Sequence, residues 1–161
     1  MNFNEFEAAI QPLTEKELLY KKHPSMSKKF FTESNFPQTE DHVYRLGTIS
    51  KRPNISHGMI GNYEPHYRHN LTLCKQTRFS EVPLHTHDYI EINYVYSGQC
   101  TAILDNQEVK LSTGQFCILD TDVVHTILPL GEDDILLNIL MTKSYFQHHF
   151  FSQMVDKSIM T

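Results

Sequence analysis

No run of eighteen apolar residues occurs in the chain, so a helix spanning a membrane is not expected and no membrane partner is implied. The N-terminus, MNFNEFEAAI, lacks the basic stretch followed by a long apolar one that marks a secretory signal. Basic charge is short as well. The 14 Lys and Arg stand against 19 Asp and Glu for a net charge of −5, which argues against a free-standing nucleic-acid binder with a basic face. Cysteine is scarce and odd in number: Cys74, Cys100 and Cys117 lie in apolar-rich segments and form no CxxC pair. That usage suits a reducing compartment better than a disulfide framework, and the expected location is cytoplasmic. There is no internal repeat. What the 161 residues do carry is enough apolar side chain, 40% of the total, for one domain with an arm attached.

Three zones follow one another. Residues 1–45 are polar and interrupted by Pro12, Pro24 and Pro37. Within them Thr14-Glu15-Lys16-Glu17 has capping-box spacing ahead of Leu18, Leu19 and Tyr20, which predicts one short helix beginning near Thr14. Lys21, Lys22, Lys28 and Lys29 read as a solvated helix face. Residues 46–141 read as short strands over 71–77, 89–96, 100–105, 108–111, 116–119, 124–128 and 135–141, rich in β-branched and aromatic residues. Turn signals at Ser97-Gly98, Asp105-Asn106, Thr113-Gly114 and residues 130–134 separate them. Even spacing without helical periodicity points to a sandwich or barrel. In residues 142–161, Phe146, Phe150, Phe151, Met154 and Val155 form the apolar stripe of an amphipathic helix. That stripe is richer than one covered side needs. Phe146, Phe150, Phe151 and Met154 are therefore expected at a subunit interface, and the protein is expected to be a homodimer. No Gly or Pro stops this helix, so the architecture is expected to continue past Thr161.

The chemistry concentrates in one stretch. His85 and His87 are two apart, so on an extended strand both imidazoles point to one face. Glu91 has the same parity, but six residues of straight strand cover roughly 20 Å, far beyond bond lengths of about 2 Å to a shared ion. A common site requires the chain to bend between His87 and Glu91, with Asp88 the natural place. His125, on another predicted strand, can supply a fourth donor. Three readings of this quartet stay open. It can hold one divalent ion (Zn²⁺, Ni²⁺, Mn²⁺ or Fe²⁺), form a metal-free polar floor to a ligand pocket, or be mutually satisfied packing.

These residues, as His85-x-His87-x3-Glu91-x6-Gly98 followed by Gly114-x10-His125, resemble the two motif halves of the cupin superfamily. The family's leading glycine falls at Phe79, its later proline and second glycine at Asp120 and Asp122, and its final asparagine at Pro129. The resemblance implies a mainly β jelly-roll barrel in which His85, His87, Glu91 and His125 line the pocket and occupy the metal-ligand positions. The wording of residues 85–127 is similar to the sensory domain of AraC/XylS-type bacterial transcription regulators. That likeness implies a cupin barrel binding a small effector, an N-terminal arm near the pocket, dimer contacts, and a separate helix-turn-helix domain through which alone DNA is read. A sugar or small organic acid is the effector expected from the pocket chemistry. The alternative is a stand-alone metal-dependent cupin enzyme, a dioxygenase or isomerase. Against catalysis, Asn93 and Val95 continue the His85–Glu91 face and offer no acid/base pair.

Overall fold

Strand β5 (Ile90–Ser97) shows how the sequence sets the layers. Glu91, Asn93 and Val95 alternate with Ile90, Ile92 and Tyr94, and its first four residues are all buried, so both faces of this strand are covered. The computed structural model describes residues 2–46, 58–59 and 70–151. Its other strands are β1 (Tyr44–Arg45), β2 (Gly58–Met59), β3 (Leu71–Lys75), β4 (His85–Thr86), β6 (Gln99–Leu104), β7 (Gln107–Ser112), β8 (Phe116–Leu119), β9 (His125–Ile127) and β10 (Ile135–Met141). They form two five-stranded sheets, one ordered β1-β4-β9-β6-β7 and the other β2-β3-β10-β5-β8. Pairing is antiparallel throughout except between β1 and β4. This is a cupin-type jelly roll, the mainly β class expected from the sequence.

The interior is graded along its length. Val95, Cys100, Ala102, Leu111, Ile127, Leu130 and Leu136 plug one end with apolar side chains. Beyond them the inward faces carry Gln76, Asn93, Asn138 and Glu91 beside a small apolar cluster of Cys74, Tyr89 and Leu140. The β6–β7 hairpin turns at Asp105 (φ 45°) and Asn106 (φ 65°), the paired left-handed residues of a tight two-residue turn that Asx side chains tolerate. Phe79 (φ 59°) and Asp122 (φ 66°), which stand where the cupin pattern has glycine, keep the left-handed backbone all the same. A Cβ in that conformation costs on the order of 1 kcal/mol. Each is held by a backbone bond, Phe79 N to Leu130 O and Asp122 N to His87 O.

The arm differs from expectation. Three helices stand where one was predicted: α1 (Phe3–Ile10), α2 (Glu15–Lys22) and α3 (Ser25–Glu33). The Thr14–Glu17 capping box is present, and Asn2 and Glu5 form a second one at the start of α1. α1 seats Ile10 and Phe6 on Ile135, Leu137, Tyr94 and Tyr96. The C-terminal element also departs from a regular α-helix. After a turn at Lys143–Tyr145 it is π-helical over Phe146–Phe151, and Phe146 packs on Ile90, Ile92, Ile139 and Met141 of its own chain. The side chains of Phe150 and Phe151, and all of Met154, lie outside the described residues.

Glu17 fastens the arm to the barrel. Its carboxylate accepts from Arg78 N (3.0 Å), Arg78 Nε (3.1 Å), Arg78 Nη2 (3.2 Å), Lys75 Nζ (3.1 Å) and Thr14 N (2.8 Å). Arg78 also donates to the carbonyls of Gln11, Pro12 and Glu132. Burial alone would raise the Glu17 carboxyl, but the Arg78 bonds, the Thr14 amide and the Lys75 charge outweigh it and hold the group at about 2. Removing one member of such a buried set leaves the others charged and unpaired, which typically costs about 3–5 kcal/mol. Glu17→Gln is therefore expected to lower unfolding stability by about that amount in a denaturant titration. Because the folded carboxyl lies below its ordinary value of 4.5, the contribution is full above pH 4.5 and fades as the pH falls toward 2. In Glu17→Gln that part of the acid sensitivity should be missing.

Candidate metal centre

Antiparallel pairing of β4 and β9 sets His85 directly opposite His125. His87, two residues on, reaches the same face, and the three ring centroids lie 4.1, 4.8 and 6.1 Å apart. The chain then bends at Asp88 and Tyr89, leaving the sheet of β4 and entering that of β5. This is the corner that the spacing requires. It is braced by the Asp122 amide on the His87 carbonyl and by the Tyr89 ring stacked on the His87 ring at 3.9 Å. Glu91 thereby returns to the site, with Oε2 3.0 Å from His87 Nε2. All four side chains are buried.

The orientation of each imidazole follows from its nearest carbonyl. His85 Nδ1 lies 2.9 Å from Pro83 O, His87 Nδ1 2.8 Å from Tyr89 O, and His125 Nδ1 2.9 Å from Val123 O. A carbonyl oxygen only accepts, so each Nδ1 carries the proton and donates it. In a neutral ring the other nitrogen, Nε2, is then a bare lone pair. For His87 and His125, Nε2 is buried and no hydrogen-bond donor among the described residues reaches it. The Glu91 oxygen facing His87 Nε2 is itself an acceptor, so the contact sets two electron-rich atoms together. Buried acceptors left this way are costly, and a cation between them removes the cost.

Burial keeps His85 and His125 in ligating form. Burial, followed by the proximity of His125, pushes the His85 ring well below its ordinary 6.5, and burial likewise lowers His125. Burial would raise the Glu91 carboxyl, but the adjacent imidazoles, His87 first, hold it below its ordinary range: when the His87 ring takes up a second proton its Nε2–H donates to Glu91 Oε2, and a metal ion would occupy the place of that proton. Neutral imidazoles plus a carboxylate are the donor set of divalent zinc, nickel, manganese or iron sites, and the set does not select among them. The ligand atoms offered by His85, His87 and His125 lie within 4.8 Å of one another. Two bonds of about 2 Å reach roughly 4 Å across an ion, so loading would draw the rings slightly inward. The residues fit a metal.

The structure brings together all four residues that the sequence singled out. Among the described residues no other group of three His, Cys, Asp or Glu offers donors so close. Burial pushes the thiol of Cys100 up to about 12 and that of Cys117 up to about 11, so neither is a ready nucleophile. His57, His66 and His69 lie outside the described residues. Asn93 was not among the residues the sequence singled out for the site, yet it donates from Nδ2 to Glu91 Oε1 at 2.7 Å. Its parity with Glu91 was the available signal.

Protein purified without chelator is expected to carry close to one divalent ion per chain by elemental analysis, and His125→Ala to carry almost none. In metal-free protein, folded His85 and His125 resist the proton that unfolded histidine takes up near its ordinary 6.5. Stability should therefore be full above about pH 6.5 and decline as the pH falls below it, a decline weakened in His125→Ala.

The cupin domain family matches residues 77–140. No curated protein matches the chain. Among solved structures, KdgF from Halomonas sp. is 20% identical at a TM-score of 0.40, over 45% of this chain and 67% of that one. A predicted oxalate decarboxylase from Thermotoga maritima is 26% identical at 0.38, over 45% and 64%. An HTH_3 family transcriptional regulator from Vibrio cholerae is 20% identical at 0.39, over 45% and 43%. The matched stretch, residues 77–140, contains all four residues of the quartet.

Proposed function

We propose that this chain is the small-molecule-sensing and dimerisation domain of an AraC-type transcription regulator, with a divalent ion at the floor of its pocket. One observation carries the reading. The arm strand β1 lies in parallel register with β4, Tyr44 beside His85. Tyr44 N donates to Leu84 O and Leu46 N to Thr86 O, so arm bonds bracket His85 on both sides. Ser27 of α3 takes the Glu81 amide on the same run, and a cavity of about 190 Å³ is lined by Phe31 and Thr32 of α3, Tyr44 of β1, and Val82 and Pro83. Pro83 is also the carbonyl that orients His85.

A shift of His85 on ligand binding is thus transmitted to the arm through backbone bonds, the differential contact that linkage between two sites needs. When bound, the ion supplies a fixed positive charge and an open position for an effector's carboxylate or hydroxyl. His85, His87, Glu91 and His125 hold and orient that floor. The wording of residues 85–127 supports the regulator class. A second reading, a metal-dependent dioxygenase or isomerase, is favoured by the same bare Nε2 atoms, since an open metal position also serves catalysis.

A thermal-shift panel of sugars and small organic acids on the metal-loaded protein separates the two. A sensor is expected to be stabilised by a compound it leaves unchanged, with slower hydrogen exchange at the Tyr44 and Leu46 amides. Conversion of the compound at a rate that tracks bound metal would contradict the sensor reading. In the source gene, the frame downstream of the Thr161 codon is expected to encode a basic domain with two helix-turn-helix motifs.

A further inference from the structure

A row of buried amides leads away from the quartet on the sheet of β5. Asn93 is fully buried, paired across β5 with Asn138 of β10 on one side and Cys117 of β8 on the other. Its Nδ2 donates to Glu91 Oε1 at 2.7 Å and to Asn138 Oδ1 at 3.0 Å. Asn138 Nδ2 donates in turn to Gln76 Oε1 at 2.9 Å, and the Cys117 thiol points at Asn93 Oδ1 at 3.6 Å. The direction of this row is dictated from one end. An ionised carboxylate only accepts, so Asn93 must turn its nitrogen toward Glu91. Its second N–H then requires the oxygen of Asn138, which turns the Asn138 nitrogen toward the oxygen of Gln76. No link can be reversed without setting like groups against each other. A flipped amide would leave buried groups unsatisfied along the whole row.

We propose that Asn93 is a positioning residue that assigns different roles to the two oxygens of Glu91. The Asn93 N–H holds Oε1 away from the imidazoles, and Oε2, already 3.0 Å from His87 Nε2, is the single oxygen presented to the metal. This rests on the metal-centre reading above. It goes further in fixing how the carboxylate binds and in naming three residues, Asn93, Asn138 and Gln76, that touch no metal yet orient its ligand. Groups that orient metal ligands in this way typically alter affinity about 10- to 100-fold when removed.

The test uses Co²⁺ alone as probe, on the whole chain, with affinity from chelator competition and coordination from the visible absorption band. Asn93→Leu, close in shape, is expected to bind Co²⁺ about 10- to 100-fold more weakly and with an altered band, because Oε1 is released. A merely structural role would lower the melting temperature and leave the band of the bound ion unchanged, and that result overturns the proposal. Equal affinity with an unchanged band overturns it too. If wild type and His87→Ala both fail to bind Co²⁺, the metal-centre reading falls and this inference with it. A measurement on the wild type covers the case in which Asn93→Leu does not fold. On saturation with Zn²⁺, the Asn93 side-chain N–H signals in ¹H–¹⁵N spectra are expected to stay downfield and slow to exchange. Their release to free-amide values would show Oε1 taken by the metal and overturn the assignment.

Discussion

Three hydrogen bonds from imidazole to backbone decide what this fold can do. His85, His87 and His125 each give the Nδ1 proton to a carbonyl two residues away, that of Pro83, Tyr89 or Val123. Each bond is local, so the tautomer is set by the strand or corner on which the ring sits. Convergence of the three lone pairs is a separate matter that only the tertiary fold supplies. The β4–β9 pairing brings His85 to His125, and the corner at Asp88 and Tyr89 brings Glu91 to His87. Bare acceptors in a dry interior are stable only with a cation or a donor among them, and this requirement connects the fold to the proposed metal.

Around that point the barrel is arranged in layers. Apolar side chains from Val95 to Leu136 fill one end and fix the strand register. The amides of Asn93, Asn138 and Gln76 form the next layer, satisfied by one another and by Glu91. The imidazoles and the Glu91 carboxylate come last. The arm is coupled to this arrangement at two places of different chemistry. One is the ionic clamp of Glu17 on Lys75 and Arg78. The other is the backbone pairing of β1 beside His85. The clamp anchors the arm, and the strand pairing gives it contact with the site. It is on this pairing that the proposed coupling between site and arm rests.

Much of this was legible in the residues. The strands over 116–119 and 135–141 match the observed β8 and β10 end for end, because apolar runs flanked by Gly114 and Asp120, and by Asp133-Asp134 and Thr142, leave little choice. The quartet was legible from parity and spacing, and the bend at Asp88 from the distance that a straight strand would impose. The arm was less so. Asn2–Glu5 has the same capping spacing as Thr14–Glu17, but α3 begins after Pro24 with no side-chain cap at all. Glu17 reads from sequence as a capping residue, and only the tertiary structure shows it neutralising two buried cations. Phe79 and Asp122 carry the opposite lesson. Both are left-handed without being glycine, held there by the bonds to Leu130 and His87. Asn93 looked inert as a catalyst. Its importance lies in a partner, Glu91, that a residue-by-residue inventory does not reveal.

In the proposed metal site three lone pairs converge at one point, ready for one ion. Long-range ¹H–¹⁵N spectroscopy of the histidine rings, before and after addition of Zn²⁺, tests it most directly. His85, His87 and His125 should each show a protonated Nδ1 and a bare Nε2 without metal, and all three Nε2 signals should shift together as one equivalent of Zn²⁺ is added. An Nε2-protonated tautomer at these residues, or Nε2 signals that ignore Zn²⁺, would contradict the account.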